Sequence, residues 1–208
     1  MRHINRARFF ALVMSLILIF TLLISYARAI GSDISNSVLR LHILANSNTN
    51  KDQQLKIAVR NRVLDETRDI FKNARSAKES ARIAEKNSAF IQSIAEDEIQ
   101  KHGFSYPVTV SVEKAAFPTK TYGGITLPSG KYTAVRIKIG EAAGENWWCV
   151  MYPSLCFADG VMSASDEAKE TLEKSLSEDS YNIVTGKDDG AIPVEIRFKI
   201  VEIFQNLF

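Results

Sequence analysis

The sequence predicts an α+β domain: a mostly antiparallel sheet of about four strands, packed by two long helices, with further helices toward the C-terminus. Three observations carry this. Short β-prone segments stand at 38–45, 108–114 and 132–139, with a tryptophan-rich fourth from Asn146. Two long stretches, 55–70 and 76–102, place apolar residues at helical spacing. The last strands follow one another with turn residues between them, as neighbours joined by hairpins do.

The chain opens on Arg2, Arg6 and Arg8, followed by an almost unbroken apolar run from Phe9 to Tyr26 and then Ala27-Arg28-Ala29. Charge, apolar stretch and small residues in that order mark residues 1–29 as a secretory signal, with cleavage directed by Ala27 and Ala29. The run also approaches the ~17–25 residues that span a bilayer, so a retained N-terminal anchor is the alternative, cleavage being the preferred reading. Either way the arginines stay on the cytoplasmic side. The chain carries 26 Lys and Arg against 24 Asp and Glu, but residues 1–29 contribute four arginines and no acid. The rest is slightly acidic and has no basic stripe with interleaved aromatics, which excludes a nucleic-acid surface. It is long enough for one compact domain, read as an α+β core over 35–160 and a helical extension of the same domain over 161–208.

Val38 to Ala45 alternates as a strand with Leu39, Leu41 and Ile43 on its apolar side and His42 on the mixed side. The polar turn 46–50 leads into a helix capped by Thr49 with Asp52, or Asn50 with Gln53, whose apolar face is Leu55, Val59, Val63 and Ile70. It should end near Phe71. Ser76 to His102 reads as a second helix, alanine-rich in its first half and closing on Gly103 as a left-handed cap. Val108 to Lys114 is the next strand. Pro128-Ser129-Gly130 is a turn whose proline presets one dihedral and whose glycine accepts a positive one, and Tyr132 to Ile139 follows it as a strand.

The segment from Asn146 to Phe157 holds both tryptophans and both cysteines. On an extended backbone Trp147 and Trp148 point to opposite faces, so one can fill a core while the other meets something else. Cys149 and Cys156 flank Pro153, and in an oxidising compartment they form a disulfide. Further on, Ser163 or Ser165 caps an acidic helix reaching about Leu176, and 177–191 reads as a flexible linker. Pro193 to Phe208 fits a strand by alternation and a helix by spacing, the helix being the preferred reading.

No catalytic set is visible. Cys149 with His42 is the only nucleophile and base pairing that can be drawn, and two close cysteines in an exported chain are more simply a disulfide. Asp159-Gly160 and Asp188-Asp189-Gly190 lack the alternating ligands of a calcium loop. No metal or other cofactor is expected.

Three blocks carry a resemblance: RLHILANSNTNKDQQLKIAVRNRVL from Arg40, FPTKTYGGITLPSGKYTAVRIKIGEAAGENWWCVMYPSLCF from Phe117, and EIRFKIVEIF near the end. Together, and in this order, they resemble the stage II sporulation protein R family of endospore-forming bacteria; the acidic segment 166–189 is less typical. The resemblance implies a protein made in the forespore and exported into the space facing the mother cell. There it activates a membrane-embedded sporulation aspartic protease that processes a sigma factor precursor. It implies an activator, not an enzyme. Tyr122, Trp147 and Trp148 are the expected partner-binding residues, being of the types enriched at interface hot spots, with Arg40, His42 and Asn46 as a second group. The competing readings are an exported thiol-dependent wall hydrolase and a wall-binding module.

Overall fold

The computed structural model describes residues 2–155 and 165–187, with side chains from Arg8 onward. Cys156, the Asp159-Gly160 turn, the helix or strand at 193–208 and the Asp188-Asp189-Gly190 turn lie outside the described residues. Helix α1 (Arg2–Ser37) leads directly into β1 (Leu39–Leu44), followed by α2 (Asn50–Phe71), α3 (Ala77–Lys86) and α4 (Ser88–Lys101). Then come β2 (Val108–Phe117), β3 (Lys120–Tyr122), β4 (Ile125–Leu127), β5 (Gly130–Ile139), β6 (Asn146–Tyr152), α5 (Asp166–Ser175) and α6 (Glu178–Thr185).

The α+β class and the four-stranded sheet are as expected, but the sheet is mixed. Its order is β2-β5-β1-β6, with β1 parallel to β5 and antiparallel to β6, and β2 antiparallel to β5. β5 and β6 are therefore not hairpin neighbours, because β1, from the start of the domain, is inserted between them. A central strand is buried on both sides, and β1 is buried at every position but Leu44. Its register with β5 and β6 sorts the side chains. Leu41, Ile43, Val135, Ile137 and Cys149 share the face packed by helices, while Arg40, His42, Ala134, Arg136, Trp148 and Val150 share the other.

Thr49 is the N-cap of α2, accepting from the Asp52 backbone, and the helix buries Leu55, Val59 and Val63 at the expected spacing. The stretch expected as one helix over 76–102 is two. Ser76 caps α3, and Asn87 interrupts the run with φ −104 and ψ 13, values outside the helical basin. The break lets the small Ala77, Ser80 and Ala84 of α3 and the Ile91, Ile94 and Ile99 of α4 meet the core at different angles. Gly103 closes α4 at φ 79. Its N–H bonds to Gln100 O at 2.9 Å and that of Phe104 to Ile99 O at 3.1 Å, the paired bonds of a Schellman cap.

β3 and β4 form a hairpin around Gly123 and Gly124, both at positive φ (53° and 87°), as a two-residue turn matching strand twist requires. Helix α6 is a third departure from the sequence reading, in which 177–191 is a linker. Ser177 caps it, Gly186 ends it at φ 67, and Tyr181 and Val184 enter the core. Its polar composition hid an apolar pair three residues apart.

Candidate functional site

The helix-free face of the sheet is divided. The β3–β4 hairpin covers the half near the start of β1; the half near its end stays partly open, around Trp148, Arg136, Glu113 and Asn146. Arg40 lies under the covered half with no exposed surface. Its Nε donates to Cys149 O at 3.0 Å and its Nη2 to Tyr122 Oη at 2.7 Å. Phe117, Tyr132 and Tyr122 surround the guanidinium at 4.3, 4.9 and 5.4 Å from their ring centroids. Nη1 has no hydrogen-bond partner, so ring faces supply part of its surroundings. Burial lowers the Arg40 pKa from its ordinary value, opposed by the two tyrosines, and an arginine stays charged even so. The same burial raises the Tyr122 and Tyr132 phenols.

This corrects the expected roles of Arg40 and Tyr122. Both are wholly buried, and the physical reason is the hairpin, which lays Tyr122 over a side chain that strand alternation alone would place on a wetter face. They support the site from beneath.

Above them, the ring of His42 stacks on Trp148 at 3.9 Å and 17°, and Phe117 meets Trp148 edge-on at 4.8 Å. The register sets His42 between Trp148 and Arg136, and its Nε2 lies 2.9 Å from Asn146 Oδ1. His42 is thus the buried underside of the stack and Trp148 its half-exposed top. Arg136 pairs with Glu113 beside them. Burial pushes the His42 pKa down, helped by Arg136 and Lys138 and opposed by Asn146.

A histidine whose folded value lies below its unfolded one stabilises fully above the unfolded value, ~6.5, and loses that contribution as pH falls through it. Denaturant midpoints are accordingly expected to decline between pH 7.5 and 5.5. His42→Gln should flatten that part of the profile while leaving the fall near pH 4, where Asp52 and Glu113 are held below their ordinary values. An unchanged slope in the variant would assign the loss to another group.

Trp147 takes the opposite face, half-buried against the core, with the Arg60 guanidinium 4.2 Å from its ring. The two tryptophans therefore do split between faces, and each is half-exposed. Asn46 serves a loop latch. Its Nδ2 donates to Asp52 at 2.9 Å and its Oδ1 accepts from Glu141 N at 3.0 Å. Ala143 N and Gly144 N bond to Asn46 O and Ala45 O, and Glu145 N to Asn48 Oδ1. The Asn46–Thr49 turn and the Gly140–Glu145 loop are thus clasped together, fixing where β6 begins and so where Trp147 and Trp148 stand. The residues that sequence reasoning passed over are Phe117, Tyr132, Arg136 and Asn146; the first two were legible only as aromatics beside strand segments.

Cys149 is fully buried on the helix-packed face, and His42 projects from the other. The two cannot serve one another as nucleophile and base, and no free thiol occurs among the described residues.

The described residues thus join an apolar N-terminal helix to an α+β domain that carries a stacked aromatic surface on one sheet face, and among them no nucleophile and base pair is assembled there. Family comparison places the chain further. The family described as stage II sporulation protein R matches residues 35–162, and the chain belongs to that family. It is 35% identical over 189 residues to stage II sporulation protein R of Bacillus subtilis (strain 168), covering 84% of this chain and 83% of that protein. No solved structure matches it.

Proposed function

We propose that this chain is an exported signal of sporulation, made in the forespore, which activates a membrane-embedded aspartic protease facing the same space, so that a mother-cell sigma factor precursor is processed. Family membership over the whole sheet carries the proposal; the N-terminal apolar helix agrees with export. Activation requires that the chain bind an active arrangement of the protease better than an inactive one, since equal binding shifts nothing. The contact surface is assigned to the half-exposed tryptophans, Trp148 on its His42 and Phe117 support and Trp147 beside Arg60. Large aromatics on a rigid base lose little freedom on binding and dominate interface energies. A Cys149–Cys156 disulfide belongs to the same reading, supported by the absence of a free thiol at Cys149 in a chain with two cysteines.

The test is co-expression with the protease and the precursor in a non-sporulating host, following precursor cleavage by immunoblot. Cleavage is expected to require this chain and its export. Trp148→Ala is expected to cut it at least about tenfold, the equivalent of one lost contact of ~1.4 kcal/mol or more, with exported, folded protein still present. Full cleavage by that variant would remove Trp148 from the contact surface. No cleavage with an exported, folded wild-type chain would defeat the activator reading itself.

A further inference from the structure

We propose that α1 is kept as a membrane anchor and is not cut after Ala29, so that the domain sits directly on the outer surface of the bilayer with no linker between them. This goes beyond the signalling reading and stands without it. Between Arg8 and Arg28 the helix has 19 residues, Phe9 to Ala27, and none is charged. At ~1.5 Å per residue they extend about 28 Å, the thickness of a hydrocarbon core.

The apolar surface has no preferred side: Leu16, Ile17, Leu18, Ile19 and Phe20, which cover a full turn, are all exposed, by 41–65%. A helix apolar all round needs an apolar surrounding, not one packed face. Two of the four hydroxyls in the segment are turned back on the helix itself, Ser15 Oγ to Leu12 O and Thr21 Oγ1 to Leu18 O, each at 2.8 Å. That satisfies them where water is absent. Lipid is the occupant that fits the length, the symmetry and the inward-turned Ser15 and Thr21 hydroxyls together.

Retention follows from the other end of the helix. α1 passes through Ala27-Arg28-Ala29 unbroken to Ser37. Ile34 is completely buried, the Asp33 carboxylate accepts from Ser177 N at 3.0 Å and Ser177 Oγ at 2.8 Å, and Ser37 Oγ donates to Ser175 O at 2.8 Å. Tyr26 Oη donates to Asp179 at 3.2 Å, so domain contacts begin within the last turn of the apolar segment. The bonds a peptidase would cut are held as helix between two attachment points, whereas proteolysis needs exposed, extended chain. Opening them requires unwinding α1 against the bonds from α6 and its flank.

The experiment expresses the full chain in an exporting bacterial host and reads three things: partition after alkaline carbonate extraction, the N-terminal residue by intact mass, and digestion of the domain by external protease. The expected result is an uncut chain in the membrane pellet whose domain is reached from outside. A second variant, with six Gly and Ser residues inserted between Ala29 and Ile30, frees the Ala27-Arg28-Ala29 site from the helix and should be processed and released. Soluble wild-type chain beginning at Ile30 overturns the proposal. An inserted variant that stays uncut overturns the protection by helix continuity, and a domain shielded from external protease overturns its placement.

Discussion

Arg40→Ala is expected to lower the unfolding free energy by about 3–5 kcal/mol, read from urea titrations of the purified chain. The substitution empties a site enclosed by Phe117, Tyr122 and Tyr132 and strips Cys149 O and Tyr122 Oη of a donor. Large-to-small changes in a core cost ~2–5 kcal/mol, and each buried group left unpaired adds ~1–3. Relief of the buried cation's desolvation works the other way and keeps the total below the plain sum. Arg40→Lys keeps the charge but lacks the fork that reaches both oxygens, so it should fall between wild type and alanine. Arg40→Met separates packing from charge: stability equal to wild type would mean that volume alone is what the cage needs. A loss under about 1 kcal/mol for alanine, below the usual cost of such a cavity, would show that the hairpin does not depend on this side chain.

Gly144→Ala is expected to be comparably damaging, about 3 kcal/mol or more, the range in which severe core and backbone faults fall. A Cβ there would lie 2.3 Å from the Ser47 carbonyl oxygen and 2.6 Å from its carbon. Both are backbone atoms, so no rotamer relieves the clash and the loops must part. Parting them breaks the bonds that Ala143, Gly144 and Glu145 make to the Asn46 turn. Gly124→Ala supplies the contrast. It meets nothing within 4 Å but sits at φ +87°, so only backbone strain of ~1–2 kcal/mol is expected. Equal losses at the two positions, measured by thermal melts with cleavage assays alongside, would mean that the clasp is looser than its distances indicate.

Local chemistry was legible in the sequence wherever a signal and its structural consequence lie within a few residues. Thr49 capping α2, Gly103 closing α4 and the alternation of β1 and β5 are of that kind. Long-range adjacency was not. Nothing in the alternation of Leu39 to Leu44 says that the strand lies parallel to β5 or separates β5 from β6. The same gap explains Arg40. Its position on the mixed side of β1 read as a candidate for surface contact, and only the hairpin arriving some eighty residues later turns that position into an interior. Asn87 and Tyr181 failed for a different reason: one residue ends a helix without a proline or glycine, and one apolar pair was diluted by charged neighbours. For the candidate site, the split of Trp147 and Trp148 between faces was readable from pleat geometry, while their supports, His42 beneath one and Arg60 beside the other, required the fold.

The placement of β1 also sets an order of events during folding. It is the first strand to be made after α1, yet it belongs at the centre, and its partners follow 94 residues later on β5 and 102 to 113 residues later on β6. Until Gly130 to Tyr152 has been made, an apolar strand waits with both edges bare, the condition that favours mispairing. Closure of the sheet is therefore a late, non-local step and a slow one for a chain of this size. A product truncated before Gly130 would hold α2, α3 and α4 but have neither neighbour for its central strand, so the Trp147 and Trp148 surfaces cannot form until the chain is made through Tyr152.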